Sequence, residues 1–479
     1  MTTTTPSLFD SSVKDQVGIT LNPDQQNAHD KLLSWLTGDI KAPFGVLMGF
    51  AGTGKSTTLG KIIGAIKAKK MSVMVAAPTH KAIKVLRKNG TAGVQYKTTH
   101  SALALKQQIN HNTGKITYEP DKFTDKMPPI ASIQVLIHDE TSMLSDELFN
   151  QLVPWIKKGL KVIFTGDPKQ APIIHNERLN GAPFVKTSIP FRNAEAWNAL
   201  VLELKQPMRQ VNGNPILEFG TQLRNNLLAV NPQPEQNILA NGMGIQLIEH
   251  GSTAEYEVME DHFSSQQFED DPDHFKVVCW RNVTVKHYNE IARSIIFKNV
   301  PNLSAIMLKE KLIMEKPYVV TTRQLVSTNE EVEVIECVLG NKIINYADAW
   351  GGDFSETIQV YNVKVKYYTD DTELFAIFQI VHESAEGKYL ALYNKVRQWA
   401  IEAPGSIKGK MWQQYYKVEG AVAWVNYNYA ITSHSAQGSS FDAALVLQWD
   451  FQVSKHIEER NMLLYVACTR ARNTLFIEI

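Results

Sequence analysis

At 479 residues the chain is longer than one ordinary hydrophobic core supports, and it predicts roughly two to four domains. Lys+Arg and Asp+Glu balance at 49 each beside 44% hydrophobic and 20% charged residues, so composition describes a soluble globular protein whose net charge does not point to nucleic acid; any basic groove must be local. Three widely spaced cysteines (Cys279, Cys337, Cys468), without CxxC or paired histidines, exclude a disulfide framework and a zinc site, and no apolar run reaches the ~18 residues of a membrane span, which predicts a reducing, cytoplasmic setting and no membrane partner.

The opening MTTTTPSLFDSS lacks the basic and apolar regions of a secretory signal, and residues 1–20 are expected to be a disordered tail. Asn22-Pro23-Asp24-Gln25 then opens a helix whose Ala28, Leu32, Trp35 and Leu36 share a face. Asn at the N-cap, Pro at N1 and Gln at N3 spell a capping box, and a base-reading role for Gln25 is not separable from it by sequence alone. Near-continuous apolar runs at 44–49, 72–77, 133–138 and 160–166, alternating with helical patterns, predict a parallel α/β sheet buried on both faces. Between Ser101 and Ile133 the pattern breaks at HNTGKITYEPDKFTDKMPP, whose turn residues and three prolines predict an inserted hairpin at about 104–131. A second α/β region begins near Phe191 and includes FKVVCW (275–280). From about 303 to 420 come alternating β-rich runs, EVEVIECVL and IQVYNVKVKYY, separated by Asn-Gly-type turns and followed by a helical YLALYNKVRQWAIEA. The α/β pattern resumes with AALVLQW (443–449) and ends on TLFIEI. The predicted division is therefore a first sheet domain over 21–183, a second over 184–302 and 421–479, and a β-rich insertion over 303–420.

Gly49-Phe-Ala-Gly-Thr-Gly-Lys-Ser56 fits GxxxxGK[ST] between an apolar strand and a helical run. Glycines there let backbone N–H groups close around phosphates, and the helix N-terminus adds partial positive charge. Gly52, Thr53, Gly54, Lys55, Ser56 and Thr57 would form the cradle, with Lys55 on the outer phosphates of ATP and the Ser56 hydroxyl on Mg²⁺. The bland alternative is a glycine-rich turn without chemistry. Asp139 and Glu140 follow the strand IQVLIH directly, at the sheet edge where ligands bind in open α/β sheets. Asp139 is placed to hold Mg²⁺ and Glu140 to orient or deprotonate the attacking water, although an isolated Asp-Glu pair more often caps a helix. Gly166-Asp167-Pro168-Lys169-Gln170 follows the next strand, where Gln170 is placed to sense a γ-phosphate; alone, GDPKQ could be an ordinary turn.

These segments, with APTHKAIKVL (77–86), TTHSAL (98–103), QPMRQ (206–210), CWRN (279–282), YAITSHSAQGSSFD (429–442) and LLYVACTRAR (463–472), resemble in order those of superfamily 1 helicases of the RecD-like branch, nearest the Dda-type helicases of tailed phages. The resemblance spans almost the whole chain outside the insertions and the N-terminal tail. It implies two RecA-like domains, a pin at the inserted hairpin and an SH3-like insertion at 303–420. It further implies that Gln25 reads adenine, that Gln437 and Gly438 join the nucleotide site, and that Arg209 and Arg470 are fingers reaching the γ-phosphate. A planar guanidinium suits that role because hydrolysis spreads negative charge over the equatorial oxygens. Pro78, Thr79, His80, Thr98, His100, Thr432 and His434 would then face single-stranded DNA, with Tyr118 and Phe123 at the fork. Two departures stand out. Ser435 replaces the Lys common in relatives after His434, which removes a phosphate contact, and Ala171 and Ile173 stand where relatives often carry Leu and Pro.

The resemblance predicts an ATP-dependent 5′-to-3′ DNA helicase serving replication and recombination, acting as a monomer on single-stranded and fork DNA in the host cytoplasm of a phage. A single-strand-binding protein would be its replication partner, and displacement of bound proteins a further expectation. Two other readings stay open on sequence: a single-strand translocase with little unwinding, and a P-loop nucleotide kinase or switch protein that binds no DNA.

Overall fold

The computed structural model describes residues 20–50, 52–88, 90–110, 113–114, 116–120, 126–170, 187–206, 214–239, 242–320, 323–369 and 372–479. Arg209, Phe123, Ala171, Ile173 and nearly all of the expected tail lie outside them.

The N-terminal half supplies β1 (Gly45–Gly49), β2 (Val73–Ala77), β3 (Gln95–Thr98), β4 (Leu105–Ile109), β5 (Ile116–Pro120), β6 (Val135–His138), β7 (Lys161–Gly166) and β8 (Leu200–Leu204). Six of them form one parallel sheet in the order β3-β2-β6-β7-β1-β8. The central strands are apolar throughout because both faces are covered. Helices Pro23–Thr37 and Lys55–Ala68 bury Leu32, Trp35, Ile62 and Ile66 against Leu47, Ile137 and Ile163. Helix Asp146–Lys157 buries Phe149 and Leu152 against Phe44, Val162 and Phe164 on the opposite face. Strands β4 and β5 stand apart as an antiparallel hairpin within the expected 104–131 insertion.

The second sheet uses β9 (Asn237–Ile238), β10 (Gly244–Ile248) and β11 (Phe275–Cys279). The chain then leaves it for β12 (Lys311–Met314), β13 (Tyr318–Val320), β14 (Arg323–Val326), β15 (Glu331–Ala347), β16 (Asp353–Thr369), β17 (Thr372–Val381) and β18 (Val425–Tyr427). It returns with β19 (Ala430–Thr432), β20 (Phe441–Leu447) and β21 (Ala471–Glu478). The order is β19-β11-β20-β21-β10-β9, parallel except at β9. The interrupting unit is an antiparallel sheet, β17-β16-β15-β12-β18, backed by helices Glu383–Glu402 and Gly405–Glu419.

Three expectations are corrected. Residues 187–204, assigned by sequence to the second domain, complete the first sheet, since β8 pairs in parallel with β1 through five residues. The strand was missed because it is an edge whose alternating LVLEL looks unlike the buried runs. The insertion runs past 420, because β18 pairs with β12 before the chain re-enters the second sheet at β19. Finally, β15 and β16 are not joined by an Asn-Gly turn. Asp348 Oδ1 accepts the N–H groups of Trp350 and Gly352 (both 2.8 Å) to make the turn, whereas Gly340-Asn341 sits inside β15, where a Cβ on Gly340 would lie 2.2 Å from the Asn362 side chain.

Buried ion pairs tie the insertion to its neighbours. Arg293 of helix Asn282–Ile296 grips the fully buried Glu310 at 3.0–3.2 Å, with the Tyr429 hydroxyl donating to the same carboxylate at 2.9 Å. Lys81 of the first domain pairs with Glu331 at 2.8 Å. Such pairs fix relative orientation more than they add stability.

Candidate active site

The first three adjacent loops are built by sheet topology. Strands β6, β7 and β1 are neighbours, so the segments leaving their carboxyl ends converge on one edge. After β1, Gly52 (φ 85°) and Gly54 (φ 79°) take left-handed conformations that side-chain-bearing residues rarely adopt. Helix Lys55–Ala68 starts at once, with no side-chain cap and no acid in its first turn, which leaves its leading N–H groups open to an anion. Lys55 Nζ donates to Gly49 O (2.6 Å) and Phe50 O (3.2 Å), Ser56 is exposed, and Thr57 is half-buried. Thr53 is fully buried and ties the loop by donating to Phe50 O at 2.9 Å.

Gln25 performs the capping role and one the sequence did not indicate. Its Oε1 accepts the Asn22 N–H (3.0 Å), its N–H donates to Asn22 Oδ1 (2.8 Å), and its Nε2 donates to Thr53 O (3.0 Å). The first helix thereby braces the phosphate loop.

After β6, Asp139 and Glu140 face that loop. Burial and the Glu140 carboxylate push the Asp139 carboxyl up to about 7, against the pull of Lys55. Two crowded carboxylates beside a lysine suit a divalent cation, which would relieve their repulsion. Glu140 sits at φ 49°, ψ 41°, an uncommon conformation for a non-glycine residue. After β7, the fully buried Asp167 accepts the Lys169 N–H at 3.0 Å and shapes the turn that presents Gln170. Among the described residues, Gln170 Oε1 is buried without a partner, as are Ser142 Oγ and Thr165 Oγ1 at the ends of these strands. Polar atoms of this kind on the strand ends beside β1, together with Lys55 and the open start of its helix, fit a triphosphate with its metal.

The second sheet domain forms the facing wall. Its turn over 432–438 ends at Gly438 (φ 76°), whose Cβ position lies 3.7 Å from Ala82 of the first domain. Gln437 is buried. Arg470, 7% exposed, donates to Val466 O (3.0 Å), Ser439 O (3.2 Å) and Thr469 Oγ1 (3.2 Å), all within its own domain. Two residues that the sequence reading missed cross the boundary. The Tyr465 hydroxyl donates to Asp167 Oδ2 at 2.7 Å, and Arg224 approaches Asp167 Oδ1 at 3.4 Å while lying 5.0 Å from the Phe50 ring centre. Tyr465 stands inside the quoted LLYVACTRAR segment, but only the fold shows what its hydroxyl meets; Arg224 belongs to no motif.

The polar residues expected to face DNA share a local device. Thr79, Thr98 and Thr432 each accept, on Oγ1, the N–H three residues ahead: Ala82, Ser101 and Ser435, all at 3.2 Å. Each therefore caps a helical turn. Thr98 is buried and also donates to Ser101 Oγ (2.8 Å). His100 packs edge-on against Tyr118 with ring centres 4.6 Å apart, joining the hairpin to the Thr98–Ser101 turn. Tyr118 and His80 are exposed, whereas Pro78 and His434 are half-buried.

Two family models match the chain: an AAA domain over residues 20–226 and a UvrD-like helicase C-terminal domain over 427–477. An uncharacterized protein, R530, of Acanthamoeba polyphaga mimivirus is 24% identical across 95% of this chain and 99% of its own length. The ATP-dependent DNA helicase dda of Enterobacteria phage T4 is 27% identical across 89% of this chain and 92% of its own. The ATP-dependent RecD2 DNA helicase of Deinococcus radiodurans is 30% identical over 173 residues, 36% of this chain and 20% of that protein. Among the described residues no helix is long and apolar enough to cross a membrane.

Proposed function

Because the chain is a superfamily 1 helicase related to Dda and RecD, we propose that it hydrolyses ATP to move 5′ to 3′ along single-stranded DNA and open duplexes at a fork. One observation carries the reading: the phosphate loop, Asp139-Glu140 and the Gln170 turn meet at one sheet edge, and the second sheet domain closes on that edge through Tyr465.

Lys55 and the N–H groups of 52–57 would hold the phosphates, and Ser56 and Asp139 the Mg²⁺, which supplies positive charge against the charge developing in phosphoryl transfer. Glu140 would orient the attacking water and take its proton. Gln170 would contact the γ-phosphate from the first domain and Arg470 from the second, with Arg209 as a second finger. Gln25 would read adenine with the amide capacity left after bracing Thr53. The threonine-capped turns at Thr79 and Thr432 would offer short polar groups to DNA phosphates, and Tyr118, exposed on the hairpin, a ring to the last base pair. A modest salt dependence of binding fits the balanced net charge.

The test is a coupled assay of ATPase and strand displacement on 5′-tailed and 3′-tailed duplexes. Single-stranded DNA should stimulate hydrolysis, and only the 5′-tailed duplex should open efficiently. Hydrolysis indifferent to DNA would defeat the motor reading, and preference for the 3′ tail would reverse its direction.

A further inference from the structure

The two side chains assigned to the γ-phosphate from opposite walls, Gln170 and Arg470, are joined by a short chain of contacts. Gln170 lies at the end of a turn whose backbone is closed by Gln170 N–H to Asp167 O (3.1 Å) and Lys169 N–H to Asp167 Oδ1 (3.0 Å). The remaining carboxylate oxygen of Asp167 accepts the Tyr465 hydroxyl at 2.7 Å. Both residues are almost wholly buried, at 0% and 1% exposure, so water cannot replace that bond.

On the other side, Tyr465 belongs to the last turns of helix Ile457–Cys468, and Arg470 follows its end directly. Tyr465 O accepts both the N–H (3.1 Å) and the hydroxyl (2.8 Å) of Thr469, and Arg470 Nε returns to Val466 O at 3.0 Å. Thr469 and the Tyr465 ring also pack on Gly220 of helix Pro215–Asn225, where a Cβ would lie 2.8 Å from Thr469 Cγ2. The helix end that carries Arg470 is thus rigid within its own domain and tied to the first domain through the Tyr465 hydroxyl on Asp167, beside the longer approach of Arg224 to the same carboxylate at 3.4 Å.

We infer that the Tyr465–Asp167 hydrogen bond sets Arg470 against Gln170 across the cleft, making Tyr465 a positioning residue for hydrolysis. The inference rests on the nucleotide-cleft reading above. Tyr465 does not touch nucleotide; it acts through Arg470. Removing its hydroxyl leaves the ring packed on Gly220 and frees the helix end to shift, and a displacement of about 1 Å at a reacting centre can cost up to about 10²-fold in rate. The loss should fall on the transition state, where the arginine meets new charge, and spare ground-state binding.

The experiment compares the full chain with Tyr465→Phe, Arg470→Ala and the double variant. Tyr465→Phe should lower DNA-stimulated kcat about tenfold or more, with KM for ATP changed by less than about twofold. It should weaken binding of ADP with aluminium fluoride by a comparable factor while leaving ADP binding unaltered, which a merely structural loss would not do. In the Arg470→Ala background the same change should cost little, since the two residues act as a unit. Wild-type kcat in a folded Tyr465→Phe variant overturns the inference. So does a full additional loss in the double variant, or equal weakening of ADP and of ADP with aluminium fluoride. A wild-type chain whose hydrolysis ignores DNA would instead defeat the motor reading, while the analogue-binding comparison still decides the role of Tyr465.

Discussion

Glu140 shows how a single residue can carry a cost for chemistry. Its left-handed backbone (φ 49°) and its carboxylate beside Asp139 are both unfavourable, the former by about 1–3 kcal/mol for a residue of its kind. Asparagine tolerates that conformation and carries no charge. Glu140→Asn should therefore raise the thermal midpoint while lowering DNA-stimulated turnover by about 10²–10⁴-fold. A variant with unchanged or lower midpoint would show that the conformation is not strained in this chain. Lys55→Ala makes the opposite comparison. The lysine donates to the loop carbonyls of Gly49 and Phe50, so its removal should abolish ATP turnover with a small change in midpoint. Residual DNA-stimulated hydrolysis would remove the phosphate-loop assignment. Candidate residues of this class stand out in sequence because the residue types their proposed chemistry needs lie in short motifs directly after apolar strands. Tyr465 and Arg224 were not, because their partner Asp167 is remote in sequence and meets them only when two domains close.

At the scale of elements, the end of β6 illustrates what local pattern reveals and what it conceals. The buried strands announced themselves as apolar runs, but His138 at the end of β6 gave no hint of its partners. Its Nε2 lies 2.9 Å from Thr99 Oγ1 and its Nδ1 3.0 Å from Thr141 Oγ1. Thr141 spends its only hydrogen on His138 O (2.9 Å), so Nδ1 must be the protonated nitrogen and Nε2 must accept from Thr99. A neutral imidazole thus links β6 to the turn that begins at Thr98. Burial pushes this imidazole down from 6.5 to about 3. The unfolded chain therefore binds a proton below 6.5 that the folded chain refuses until near 3, so stability falls as pH drops through that window. The contribution of one such group is at most about 1.4 kcal/mol per pH unit. His262, stacked on Phe275 and pushed down to about 4 by burial and by His274, adds a slope of the same sign. Urea unfolding from neutral pH into this window should show the decline, and His138→Gln should flatten it by up to one proton. An identical slope in the variant would mean that His138 is already charged in the folded state. The edge strand β8 escaped the sequence for a related reason: half of its residues face solvent, so burial wrote only alternate letters.

At the scale of the whole molecule, the proposed function raises the question of what would hold the hairpin still if a duplex were driven against it. Its strands β4 and β5 belong to the first domain, and an isolated two-stranded hairpin is marginal in water. It is held at two places. Near its base, Tyr118 rests on His100. Further out, Gly114, buried at φ 67°, lies against the indole of Trp412 on helix Gly405–Glu419, so closely that a Cβ would come within 2.3 Å of the ring. The Tyr416 hydroxyl donates to Gly114 O at 2.6 Å. The insertion thereby buttresses an element nearly three hundred residues earlier in the chain, which is why the sequence located both pieces but not their contact. Opening a base-pair step costs on the order of 1.4 kcal/mol of stacking, and a surface that yields under that load cannot separate strands efficiently. Trp412→Ala removes the buttress and Gly114→Ala wedges it apart, since alanine at that position is both strained and in collision with the indole. Each should slow unwinding of a 5′-tailed duplex severalfold while DNA-stimulated ATPase stays near wild type, because neither residue touches the nucleotide cleft. Tyr118→Ala should act in the same direction by removing the ring proposed to meet the last pair, where base stacking is worth about 1–3 kcal/mol. If Trp412→Ala and Gly114→Ala unwind at the parental rate, the docking of the hairpin is incidental to strand separation. A parallel fall of ATPase and unwinding would trace their effect to the motor rather than to the surface it pushes against.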